Sequence, residues 1–402
     1  MCYIISTMSG RIWKGVLGGL AGGVLLLGAI YFVGTLNIRS VSYTSKQNAN
    51  ASDSPEVVSE TEKEVDSSWP LVLDTKEYDK RLLELSDYTP PKPVTVVTHG
   101  TVSSSATTTI VVPPSPLVYS STTNVTVIGK RWPAPAPYSQ GGAILPFQRI
   151  VAYYGNFFSR QMGVLGQYDP EDMLQRLAKT SKEWEVADPR TPVLPAIEYI
   201  AMVAQGGEGA DGMYRAVMPD AEIEKAYTLA HETHGILILD LQVGLSSIEN
   251  ELPKFKKYLM RPDVHLALDP EFSMKNGKRP GTSIGTFNAR DINYVINYLA
   301  TIVRENKFPP KVLLVHRFTQ DMVTGVSQIT PKPEVQFIMV MDGWGSKDLK
   351  RGTYAGVIEP EPVQFTGVKL FYKNDLKPPS TGMLTPAEVL SLHPKPIYIQ
   401  YQ

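Results

Sequence analysis

The chain has a single cysteine, Cys2, among its 402 residues. No disulfide can form within one chain, no thiolate zinc site can be built, and no cysteine nucleophile lies in the body of the protein. Cysteine usage therefore leaves the redox compartment open. An excess of charge is also missing: 39 Lys and Arg against 40 Asp and Glu leave a net −1. Binding a phosphate backbone needs a basic face, so nucleic acid is set aside as a partner. No glycine-rich phosphate loop follows the first strand-like run, which argues against a doubly wound nucleotide-binding sheet. No cofactor is expected.

Long apolar runs are scarce as well, with one exception. Gly15 to Leu36 reads GVLGGLAGGVLLLGAIYFVGTL, without a charge. At about 1.5 Å per residue such a helix spans a hydrocarbon core of about 30 Å. Arg11 and Lys14 precede it and Arg39 follows, which predicts a cytoplasmic tail over 1–14, a transmembrane anchor over 15–36 and an extracytoplasmic remainder. A cleaved signal peptide is the rival reading, but the run is long for one and no convincing A-x-A site closes it; no lipidation cysteine follows either. Over 37–147 the composition turns to Ser, Thr, Val, Pro and acidic residues, which bury too little apolar surface to offset chain entropy, so a largely disordered stalk or linker is expected. Within it EYDKRLLELSDY, from Glu77, has the pattern of a helical turn or two.

The last 255 residues, 148–402, carry eight short apolar runs ending in polar or aromatic residues: RIVAYYG, PVLPAIEY, GILILDLQ, VHLALDPEF, KVLLVHRF, VQFIMVMDGW, TGVKLFYK and PIYIQYQ. Helix-like segments separate most of them. Asp169-Pro170, Ser246 with Glu249 and Thr385-Pro386 with Glu388 look like helix starts. Ile292, Val295, Ile296, Leu299, Ile302 and Val303 form one stripe at helical spacing. The fold predicted is α/β, a TIM-type (β/α)8 barrel, whose chemistry belongs where the strands run out into loops.

Strand residues two apart share a face. Asp240 and Gln242 then point the same way as Ile238, and Asp269 and Glu271 the same way as Ala267. Strand two offers Glu198, strand five His316 or Arg317, strand six Asp342 and Trp344, strand seven Lys369 or Tyr372, and strand eight Gln400 and Gln402. So many polar groups in one place are costly unless they bond to each other, to water or to a ligand. Each has a plainer use: Lys369 as half of an ion pair, His316 as a hydrogen-bonded scaffold, Trp344 and Tyr372 as core, Glu198 as a partner for loop backbone. Asp269-Pro270-Glu271 is the pair whose carboxyls, held close, are expected to push their pKa values apart.

These strand endings resemble those of glycoside-hydrolase (β/α)8 barrels, in particular bacterial envelope-anchored proteins and the family 18 chitinases. Asp269-Pro270-Glu271 is similar to the closing Asp-x-Glu of the chitinase motif, and Met341-Asp342 to its Met-Tyr-Asp without the tyrosine. His265 and Ala267 stand where that motif has aspartates, and TGVKLFYKND lacks the strand-seven glutamate of the large retaining clan. The resemblance implies Glu271 as general acid, Asp269 as its tuner, and Asp240 or Asp342 as stabiliser of developing positive charge or positioner of water. Glu198, Gln242, His316, Trp344, Lys369, Tyr372 and Gln400 would then bind substrate, a cell-envelope or environmental polysaccharide. Two other readings stay open: a non-catalytic barrel that binds glycan or an envelope partner, and a metal-assisted hydrolase with His316, Asp240, Asp269 and Asp342 around a cation. No metal ligand is assigned, and the oligomeric state is left unknown.

Overall fold

All eight runs are strands, because each is rich in Val, Ile, Leu or aromatic residues and is buried on both faces, as a parallel strand between a core and a helix layer must be. The computed structural model describes residues 69–86 and 132–402. The strands are β1 Arg149–Gly155, β2 Val193–Ala204, β3 Ile236–Leu241, β4 Val264–Leu268, β5 Lys311–Arg317, β6 Val335–Met341, β7 Phe365–Leu370 and β8 Tyr398–Tyr401. Each pairs in parallel with the next, and β1 pairs with both β2 and β8, so the sheet closes. A short antiparallel strand, Arg215–Val217, extends the far end of β2.

Closure sorts the side chains into two cores. Val151, Ile197, Leu239, Leu266, Leu313, Met339, Val368 and Ile399 face outward onto the helices. Ile150, Ala152, Ala196, Ile238, Ala267, Leu314, Ile338 and Val340 face inward. Helix α1 Thr75–Ser86 packs on the inward-facing core, and the helix layer includes α2 Pro170–Ala187, α3 Asp220–Glu232, α4 Ala289–Asn306, α5 Lys347–Thr353 and α6 Pro386–Leu390. On α4 the whole predicted stripe from Ile292 to Val303 is buried, at about 2 kcal/mol for each large aliphatic side chain.

The helix starts differ in detail from their sequence signals. Thr385 and Glu388 form the reciprocal capping box. Asp169 occupies the N-cap before Pro170 but makes no side-chain cap bond. The cap expected at Ser246 falls one residue later, on Ser247, which accepts from the Asn250 amide, because the Ser246 hydroxyl is taken by Glu251 at 2.6 Å. Asn288 and Asp291 form a second capping box at the head of α4.

The expected tail (1–14), the anchor (15–36) and part of the stalk lie outside the described residues. Among the described residues, no helix is long and apolar enough to cross a membrane. Two pieces of the expected stalk are ordered parts of the barrel unit, which runs from Leu71 to Gln402. Tyr78 and Leu85 of α1, with Trp132 and Leu145, join the inward-facing core at the amino-terminal end of the strands. The stalk reading fails there because these four apolar side chains, spaced too widely to register as a pattern, bury together. The Gln336 side chain on β6 fixes that floor: its amide donates to the Leu145 carbonyl at 2.6 Å and the Ser139 hydroxyl at 3.2 Å, and its oxygen accepts from Ile144 and Leu145 at 2.9 and 3.1 Å.

Candidate active site

At the opposite end the inward series turns polar on two levels. The inner level is carried by the strands themselves: Tyr154, Glu198, Asp240, His316, Lys369, Tyr398 and Gln400, all buried. The outer level begins where strands stop: Gln242 follows β3, Asp269 follows β4 and Asp342 follows β6.

His316, on the inner level, joins one acid from each level. Its Nε2 lies 3.1 Å from Glu198 Oε1, and its Nδ1 makes an ion contact of 3.4 Å with Asp342 Oδ2. The Lys369 ammonium sits 3.0 Å from Asp342 Oδ1 and 4.0 Å above the Tyr154 ring. The Tyr398 hydroxyl donates to Glu198 Oε2. Tyr398 packs closely on Gly367 of β7, where a Cβ would stand 2.9 Å from its ring. The Tyr154 hydroxyl donates to Asp240 Oδ2 at 2.8 Å. Gln242 links the levels: its amide donates to the Tyr154 hydroxyl and to Asp269 Oδ2, each at 3.3 Å, and its oxygen accepts from the Ala204 amide at 3.0 Å.

Five carboxyl groups (Glu198, Asp240, Asp269, Glu271 and Asp342) meet two basic groups, His316 and Lys369. Burial raises Asp240 to about 7, with Glu198 adding and His316 opposing. Burial and then Asp240 raise Asp269 to about 7. Glu271 goes up to about 8, through burial and then repulsion from Asp269 and Asp342. For His316 burial opposes the charge, but the Glu198 hydrogen bond and Asp342 outweigh it and hold the imidazole up at about 9. Lys369 is likewise raised: burial works against it, and Asp342 and Asp269 more than compensate.

Glu198, Asp240, Gln242, Asp269, His316, Asp342 and Lys369 are thus brought together as expected. Gln400 is inside too, in register with Lys369, although neither polar atom of its amide has a protein partner. The strand argument for Glu271 needs correction. β4 ends at Leu268, and Glu271 sits on a 3-10 turn, Pro270–Phe272, that leaves it half-buried at the rim. Tyr372 does not belong to the site. It faces the helix layer, bonds to the Tyr153 hydroxyl at 3.1 Å and stacks on Tyr401 at 5.3 Å, because β7 alternation points Thr366, Val368, Leu370 and Tyr372 outward. Arg317 also faces outward, pairing with Glu361 at 2.8 Å. Trp344 is half-buried on the loop after β6, with the Lys377 ammonium 5.4 Å over its ring.

Tyr154 and Tyr398 were missed, though the same two-residue alternation marks both: Tyr154 follows Ile150 and Ala152, and Tyr398 precedes Gln400. Lys350 and Asp375 carried no signal. Their buried pair, 3.0 Å apart, ties the ends of β6 and β7 together, with Lys350 also donating to the Gly343 and Lys369 carbonyls at 2.7 Å.

No protein-family model and no curated protein matches the chain. Solved structures do align: a cellulase at 10% identity and TM-score 0.33, covering 55% of this chain and 65% of that one; a GH5-4 broad-specificity endoglucanase from an uncultured bacterium at 9% and 0.26, covering 58% and 83%; and a Bacillus subtilis mannanase at 13% and 0.25, covering 63% and 80%. The chain thus spans just under two thirds of the cellulase. Likeness at these values carries no weight for the reaction. What the fold and the site define on their own is a closed (β/α)8 barrel with a buried, acid-rich cluster at the carboxyl ends of its strands.

Proposed function

We propose that the chain is a membrane-anchored, extracytoplasmic barrel that hydrolyses cell-envelope or environmental polysaccharide, with Glu271 as the general acid. One observation carries this reading. Glu271 is the half-buried carboxyl at the rim, and burial together with Asp269 and Asp342 pushes its pKa up to about 8. It therefore keeps its proton at neutral pH, as protonation of a leaving oxygen requires. Asp269 tunes it through charge, and one Asp269 oxygen is buried without a hydrogen-bond partner. Asp342 is offset by Lys369 and His316 and serves to hold these cations in place.

The test incubates the full chain with cell-wall glycans and follows released reducing ends. Glu271→Gln is expected to lower the rate by about 10²- to 10⁴-fold while glycan is still retained. An unchanged rate removes the mechanism. Retention of glycan by both proteins with release by neither identifies a binding barrel instead.

A further inference from the structure

We infer that the inner level of the cluster binds one divalent cation of the manganese or zinc type, with Glu198, Asp240 and His316 as its protein ligands. These three residues offer one donor atom apiece, all within 4.8 Å of one another, and all three side chains are buried. The donor set is two carboxylates and an imidazole, which suits a transition-metal ion better than calcium, whose shell takes six to eight oxygens.

The surroundings of each ligand are those of a metal site. A ligand's remaining polar atom is usually fixed by a neighbour, which sets its orientation. Here Glu198 Oε2 accepts from Tyr398 and Asp240 Oδ2 accepts from Tyr154 at 2.8 Å, while His316 Nδ1 makes no hydrogen bond and only an ion contact of 3.4 Å with Asp342 Oδ2. The donors that remain for an ion are Glu198 Oε1 and His316 Nε2, which share a hydrogen bond that loading must open, and Asp240 Oδ1. The first two stand 3.1 Å apart, the spacing of roughly 3 Å that adjacent donors adopt when each is about 2.1 Å from an ion. Asp240 Oδ1 is fully buried and has no hydrogen-bond partner. A neutral core does not leave a carboxylate oxygen so placed without cost, and a cation bound there satisfies it. Charge agrees: Lys369 lies against Asp342, which leaves the His316 imidazole as the main positive group facing Asp240 and Glu198, two acids to one base. On loading, the proton between Nε2 and Glu198 passes to solvent.

This assignment does not depend on Glu271 acting on a glycan. To test it, the full chain is purified without chelator and its metal content measured by mass spectrometry. The protein is then stripped and titrated with Mn²⁺, free ion being followed by electron paramagnetic resonance. The expected result is saturation at about one equivalent in one of the two measurements. Asp240→Asn should weaken Mn²⁺ binding at least about tenfold. If that variant does not fold, Tyr154→Phe decides: it keeps all three ligands but frees Asp240 Oδ2, and should weaken binding by about 10- to 100-fold. Glu271→Gln, on the outer level, should keep the full equivalent whatever its turnover. Folded wild-type protein that carries no metal and shows no saturable Mn²⁺ binding overturns the inference. So does binding that Asp240→Asn or Tyr154→Phe leaves unchanged, or that Glu271→Gln abolishes.

Discussion

Gln336 and Gln400 are interior glutamines of the same barrel, both fully buried, one near the floor and one near the mouth. Gln336 makes four hydrogen bonds, all to the segment that seals the floor. Gln400 makes none to protein. The same amide therefore does opposite work at the two ends. At the floor its bonds are spent on folding, whereas at the mouth its bonding capacity is left for something other than the chain.

The comparison is open to direct challenge. Gln336→Ala strips partners from two backbone amides and a carbonyl, and should lower unfolding free energy by about 3 kcal/mol in urea titrations. A loss below about 1 kcal/mol would mean that the floor is not fixed by that side chain. Lys311, at the start of β5, gives the next effect. Its ammonium is buried, donating to the Arg261 and Val264 carbonyls, and burial lowers its pKa to about 7. The unfolded chain then binds more protons than the folded one between pH 7 and about 10, so this lysine's contribution to stability rises with pH across that window. In Lys311→Met that rise should vanish, and urea midpoints of the two proteins measured from pH 7 to 10 would show it. The mouth should follow the opposite trend: turnover that needs protonated Glu271 should fall as pH passes about 8, and a pH–rate profile flat to pH 10 would exclude it as the acid. Gln400→Leu should change stability by less than about 1 kcal/mol, since no protein bond is lost, while weakening whatever occupies the mouth. Smallest of all is Tyr372→Phe, which should cost about 1 kcal/mol or less in melting experiments and leave turnover untouched, its hydroxyl being in the helix layer.

Period-two alternation made most of the site legible. It aligned Asp240 with Ile238 and Asp269 with Ala267, and it holds for Tyr154 and Tyr398, which share those inward series. It stopped being informative where the strands stop. Glu271 lies past the end of β4 on a 3-10 turn, so its placement comes from Pro270 and the turn, and Trp344 lies on a loop whose path no local pattern specifies. For Tyr372 the rule was available, since Val368 and Leu370 already mark its side of β7 as the outer one. The floor was illegible for another reason. Leu85, Trp132 and Leu145 are far apart in sequence, and a composition rich in serine and proline hides a handful of apolar contacts that only tertiary structure brings together.

The seal at the amino-terminal end has a practical bearing on where this protein can be cut. A fragment beginning at Gln148 keeps every strand yet discards the residues lying beneath Val312, Ile338 and Phe365, so its lower opening would be a greasy well exposed to water. The smallest piece with a dry interior begins near Leu71, and the chain leading into the barrel serves as its cork.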